Sequence, residues 1–270
     1  MVQDLKPEMI SSLREYMERI EDLMAADVPL WYRGCGKASH TLAPSLFRHP
    51  DITAPEDYIV LERRILRRFR ERSVPYQKLP QGANEEWDFL FLMQHFGVPT
   101  RLLDWTENPY VALFFALTSA RIEHATGHAS ENAAVWILQP EEWNRQSFAD
   151  MSYSGDIFSA GDEPLRTFIP SGGDAYMRNA PAAMFGLHNS PRIVAQRGVF
   201  TIFGKESMPM EERVIDSDYP EGTLTKFEFP AELIGDLRKS LLNIGITDSV
   251  IYPDLGGLAN ELKRFFGYEV

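Results

Sequence analysis

The chain has one cysteine, Cys35, in 270 residues. That excludes an internal disulfide framework and a cysteine-built zinc site, and it points to a reducing compartment. No apolar run approaches the roughly 20 residues a helix needs to cross a bilayer. The most apolar stretch is Val111–Ala120, VALFFALTSA. The opening segment, MVQDLKPEMISSLREYMERIEDL, is charged throughout and lacks the apolar centre and small-residue cleavage site of a secretory leader. The expectation is a cytoplasmic protein with no membrane partner. Positive charge is also scarce: Lys plus Arg number 27 against 39 Asp plus Glu, a net charge of −12. A general binder of nucleic acid or anionic lipid needs clustered cations. The local exception is residues 62–72, where six arginines against Glu62 and Glu71 leave +4. Nucleic acid is therefore expected as a partner only through this Arg-rich helix, which is otherwise a solvated face.

Familiar chemical signatures are missing too. There is no phosphate loop ending in Lys-Ser/Thr, no GxGxxG, no GxSxG and no HExxH. His124 and His128 are four apart but flank Gly127 at a helix end, a poor metal site. No metal is expected. A nucleic-acid hydrolase is the weakest of the readings, because the sequence has no carboxylate cluster for a metal pair and the chain is acidic.

What is present is ample core material, with 44% hydrophobic and 12% aromatic residues, which excludes a disordered chain. Ile10, Leu13, Met17, Ile20 and Met24 recur at steps of three and four, predicting an amphipathic helix over 8–24. LWYRGCG reads as a strand, and a helix is predicted over 56–72. Asn84 is placed to cap a helix ending at Gly97. Asn108-Pro109 is a cap followed by a first helical residue, and it opens an apolar helix. AAVWILQP, RIVAQRGVFTIF, TLTKFEF and DSVIYPD read as strands, with a helix after Pro230 and another over LGGLANELKRFF. Residues 144–190 lose periodicity and read as a loop-rich insertion. Helices and strands mix without βαβ alternation, so the fold class is α+β.

Three segments concentrate polar residues beside apolar ones. Arg33 in WYRG either presents a guanidinium where Gly34 lets a ligand approach or pairs with a carboxylate at a strand end. In QHFGVPTRLLDWTENPYVALFFA, Gln94, His95, Arg101, Asp104, Trp105, Thr106 and Asn108 need partners if buried. Arg101 and Asp104 are expected to be buried and bonded, to each other or to backbone carbonyls, and Thr106 could cap a turn. Gln196, read as a strand residue among apolar neighbours, either satisfies backbone groups or faces a cleft.

Together WYRG, HFGVPTRLLDWTENPYVALFFA, RIVAQRGVFTI and IYPDLGGLANEL resemble the FRG domain family, named for a Phe/Tyr-Arg-Gly motif matched here by Tyr32-Arg33-Gly34. The resemblance runs over about residues 25–265, with 1–24 as an N-terminal helix before it. FRG domains occur mostly in bacterial and phage-related proteins. The order of motifs is also similar to that of ADP-ribosyltransferases. That likeness implies a single domain with a mixed, mostly antiparallel β-core flanked by an N-terminal helical part. It implies NAD as substrate, with Arg33, Thr106 and Gln196 as catalytic residues and Tyr32, Gly34, Trp105, Arg101 and His95 around the cofactor. Tyr32 or Trp105 would stack on the nicotinamide. The implied activity is ADP-ribosyl transfer or NAD hydrolysis by a toxin or defence effector. The alternative is a non-catalytic nucleotide- or phosphate-binding module. One departure matters: Gln196 is not a Glu, and an amide cannot serve as a base or offset positive charge as a carboxylate does. Asp104 and Glu107 are the candidate carboxylates to do so.

Overall fold

The computed structural model of the chain describes residues 5–76, 80, 82, 84–123, 126–151, 153–172, 177–187 and 190–268. His124 lies outside them, so its pairing with His128 is not described. Ser12 begins the first helix: its hydroxyl accepts from the Glu15 amide at 3.1 Å, and the Glu15 carboxylate accepts in return from the Ser11 amide at 2.8 Å. That cap places α1 at Leu13–Met24, shorter than the expected 8–24. The residues before it, Glu8–Met9, form β1 and pair with β7 (Leu224–Phe229).

β2 (Trp31–Cys35), β3 (Leu102–Thr106), β4 (Ala133–Leu138), β5 (Ala182–Phe185) and β6 (Gly198–Ile202) complete a sheet of order β1-β7-β4-β2-β3-β6-β5 among the described residues. All its pairs are antiparallel except β1 with β7. The fold is α+β around a mixed, mostly antiparallel sheet, as expected. β5, unforeseen, comes from the loop-rich 144–190 segment, whose other described residues include the end of α5 (Pro140–Ser147) and short 3-10 helices at Ala149–Met151, Glu163–Phe168 and Pro170–Gly172.

The sheet has a seam. β2 follows β4 over five residues and β3 follows β6 over five, but β2 meets β3 only at Tyr32 opposite Thr106. On one face, Tyr32, Val135, Ile137 and Phe227 form a cluster with α1, α4 (Pro109–Ser119) and α8 (Ile234–Asn243). On the same face beyond the seam, Leu102, Phe200, Ile202 and Met184 pack with α3 (Glu85–His95) and with Phe148, Phe158 and Phe168. The reverse face carries Trp31, Cys35, Leu103, Trp105, Trp136 and Val199. These memberships follow the two-residue alternation of strands.

Several local expectations are met. Asn108 accepts from the Tyr110 and Val111 amides, with Pro109 as the first helical residue of α4. α2 is Pro55–Ser73 and α10 is Leu255–Phe265. Two strand expectations fail. DSVIYPD contains a short helix, α9 (Asp248–Ile251). RIVAQRGVFTIF divides: α6 (Pro191–Gln196) is capped by the Ser190 hydroxyl, Arg197 turns left-handed at φ 46°, and only then does β6 begin. The β-branched content of that stretch suggested a strand. The cap and the proline decide otherwise.

Candidate functional site

A cavity of about 280 Å³ opens where the two clusters part at the seam. Asp104 and Thr106 reach it from β3, Gln94 and His95 from α3, Phe115 and Ser119 from α4, and Arg192 and Gln196 from α6. Arg33, Thr106 and Gln196 all border it, despite lying far apart in the chain.

Each of the three also has an internal partner. The Thr106 hydroxyl donates to the Gln196 main-chain carbonyl at 2.5 Å and accepts from the Asn108 amide at 3.0 Å. It ties the turn before α4 to the end of α6. The Gln196 side-chain amide donates to the Ile251 carbonyl at 3.2 Å. Arg33 stands opposite Trp136 in the β2–β4 register and so issues from the reverse face. It borders the cavity because the strands diverge beside it. Its Nη1 donates to the Asp104 main-chain carbonyl at 2.6 Å, while its buried Nε has no partner.

The residues expected around a cofactor separate. His95 lines the cavity, and burial, with the charge of Arg192 next, pushes its imidazole below the ordinary range. Tyr32 and Trp105 are wall rather than stacking platforms. Tyr32 is 2% exposed within the α4 cluster, and the Trp105 indole donates to the Thr201 hydroxyl on the reverse face at 3.1 Å. Gly34 serves a helix rather than a ligand. A Cβ there would lie 1.9 Å from the Ala112 carbonyl oxygen and 2.6 Å from the Ala116 amide, so only glycine lets α4 sit on β2.

Arg101 is withdrawn from the site altogether. It is 0% exposed, and its Nε and main-chain amide donate to the two oxygens of Glu62, also 0% exposed, at 2.7 and 3.0 Å. Its remaining donors take the carbonyls of Phe203, at 2.8 Å, and Phe168. The expected pairing with Asp104 does not form. Three positions along a strand place the two on opposite faces, and Asp104 is exposed in the cavity. Its carboxylate accepts from the Gln94 side-chain amide at 2.7 Å. Glu107 does not line the cavity. The partner of Arg101 comes instead from the Arg-rich helix, whose Glu62 is buried rather than a surface charge.

Arg192 was not singled out in the sequence. It lines the cavity, and its guanidinium lies 4.7 Å over the Tyr252 ring. Tyr252 in turn lines a second cavity of about 400 Å³, which shares Phe115 and Ser119 with the first. Among the described residues, no group of three or more His, Cys, Asp or Glu is placed to hold a metal ion, and no helix is long and apolar enough to cross a membrane.

Residues 28–125 match the model of the FRG domain family. That match covers 98 of the 270 residues, a little over a third of the chain. The match spans β2, α2, α3, β3 and α4, which place Arg33, Gln94, His95, Asp104, Thr106, Phe115 and Ser119 around the cavity. The family's Tyr32-Arg33-Gly34 motif thus does two jobs here: Gly34 seats α4, and Arg33 braces the divergence of β2 from β3. No curated protein and no solved structure gives a significant match.

Proposed function

We propose that this FRG-domain protein binds NAD in the seam cavity and cleaves its nicotinamide–ribose bond, as an ADP-ribosyltransferase or an NAD glycohydrolase. The observation that carries the reading is the gathering of Arg33, Thr106 and Gln196 at one cavity with a second cavity adjoining it. A dinucleotide is two nucleotides joined by a pyrophosphate, and two chambers sharing a wall match that division. Arg192 borders the first chamber and contacts Tyr252 of the second, where a pyrophosphate would cross. Breaking a glycosidic bond through an oxocarbenium-like state depends more on positioning and charge complementarity than on a strong base. Phe115 and His95 offer ring surface in place of the buried Tyr32 and Trp105. The family's bacterial and phage-related setting makes a toxin or defence effector the proposed role. The acceptor would be water or a macromolecule.

A second reading has its own support. Gln196 is tied to the Ile251 carbonyl, as expected of a residue that closes α6 onto α9 in a module that binds a nucleotide or phosphate without turnover. Incubating the purified protein with NAD, with and without cell extract, and measuring nicotinamide release separates the two. Release supports the transferase or hydrolase. Saturable NAD binding by calorimetry without release supports the module, and the absence of both binding and release refutes both readings. Gln196→Ala removes a hydrogen bond worth about 1 kcal/mol and should weaken NAD binding or turnover while the fold survives. Unchanged binding and turnover would make Gln196 a purely structural residue.

A further inference from the structure

Asp104 stands on the cavity face of β3, opposite Phe200 in the β3–β6 register. Among the described residues it is the one carboxylate lining the seam cavity. It is held from two directions. Arg33 fixes its main-chain carbonyl at 2.6 Å, and Gln94 Nε2 donates to its Oδ2 at 2.7 Å. The orientation of Gln94 is itself determined. Thr100 is fully buried, and its hydroxyl oxygen accepts from the Leu102 amide at 3.1 Å. Its one proton is then free to donate, and it goes to Gln94 Oε1 at 2.6 Å. With its oxygen so engaged, the Gln94 amide turns its N–H groups to Asp104. Oδ1 of Asp104 accepts no hydrogen bond among the described residues, which leaves an anionic acceptor open to the chamber.

We infer that Asp104 is the carboxylate facing the reacting ribose, and that Gln94, locked by Thr100, is its positioning residue. This rests on the NAD-cleavage reading and answers the deficit left by Gln196, whose amide cannot offset positive charge. The step balances as follows. The bond from ribose C1′ to the nicotinamide nitrogen breaks, and nicotinamide leaves with the bonding pair as a neutral base. C1′ and the ring oxygen take up the positive charge, which the Asp104 carboxylate stabilises. The acceptor hydroxyl or water attacks C1′, and its proton passes to Asp104 and then to solvent. With water, NAD⁺ and H₂O yield ADP-ribose, nicotinamide and H⁺. The arrangement also divides the charges of NAD sensibly, with Asp104 toward the cationic ring and Arg192 toward the pyrophosphate.

Three variants of the full chain test this, read by nicotinamide release, NAD binding and thermal unfolding. Asp104→Asn keeps an acceptor for Gln94 and loses only the charge. Its melting curve should match the parent, because Asp104 is exposed. NAD affinity should stay within about threefold, while the release rate falls about 100-fold or more. Gln94→Glu sets a second carboxylate against Asp104. The two would share a proton, and the acidic limb of the rate–pH profile should move to higher pH with KM little changed. A packing role alone would not move that limb. Glu107→Gln tests the rival acid. Release by Asp104→Asn at the parent's rate overturns the assignment while NAD cleavage stands, and so does loss of release in Glu107→Gln alone. An unshifted profile in Gln94→Glu overturns the positioning role. A parent protein that releases no nicotinamide overturns the NAD-cleavage reading itself, and this inference with it.

Discussion

Removing Glu62 should damage the fold, although neither Glu62 nor its partner Arg101 lines the seam cavity. Glu62 and Arg101 are both 0% exposed, and the pair joins α2 to the start of β3 through the Arg101 side chain and main-chain amide. Arg101 then reaches Phe203 after β6 and Phe168 in the loop-rich segment. Glu62→Ala deletes the anion and leaves a buried guanidinium with two carbonyls and no charge to balance it. Breaking such a pair costs roughly 3–5 kcal/mol. Unfolding entropy near about 2.1 cal/mol/K per residue converts that into a melting-temperature fall of roughly 5–9 °C for a chain of 270 residues. Differential scanning fluorimetry and equilibrium urea unfolding would read it. Replacing both partners, as Glu62→Leu with Arg101→Met, removes the charges together and should recover much of the loss, since apolar substitutes for a buried pair are often neutral. A fall under about 2 °C for Glu62→Ala would refute the reasoning. A double variant no better than Glu62→Ala would show that the carbonyl contacts, rather than the ion pair, hold these segments.

Gly34→Ala should prevent α4 from seating on β2, costing about 1–3 kcal/mol or more, because its Cβ would meet the Ala112 carbonyl at 1.9 Å. Gly235→Ala, with nothing within 4 Å of the added carbon, should be neutral or stabilising in the same denaturation assay. Asn108→Ala leaves the Tyr110 and Val111 amides without their shared acceptor and should cost about 0.5–2 kcal/mol. The His95 ring, held below its ordinary 6.5 by burial and by Arg192, resists protonation in the folded state. The unfolded chain therefore binds the extra proton, and stability should rise as pH climbs through the window just below 6.5 and level off above it. NMR titration of His95 with a midpoint at or above 6.5 would contradict this.

How much of this was legible in the residues depends on the range of the interactions. The cap of α4 and the breaker of α3 act within one turn, so Asn108-Pro109 and Gly97 mark their elements where they stand, although Asn84 makes no side-chain cap bond to α3. β4, buried at every position, was legible from its apolar run. The helical placement of Gln196 has a local signal too. Ser190-Pro191 is the same cap-and-proline signal as Asn108-Pro109, and it starts a helix there too.

The amino-acid sequence by itself determined an α+β chain that resembles the FRG domain family over residues 28–125, a core rich in aromatics and a gathering of polar residues around Tyr32-Arg33-Gly34 and the 94–108 block. Only the tertiary structure decided which polar residue bonds to which. Arg101 took Glu62 from a helix 39 positions away, because strand alternation turned it from Asp104 and burial demanded a charge of opposite sign. The reason for Gly34 likewise lies across space, in an α4 backbone that leaves no room for a Cβ. Asp104, three residues from Arg101 in the chain, faces the seam cavity because β2 and β3 part there after a single pair. That separation is a property of how seven strands pack under two helical clusters, and no local pattern encodes it.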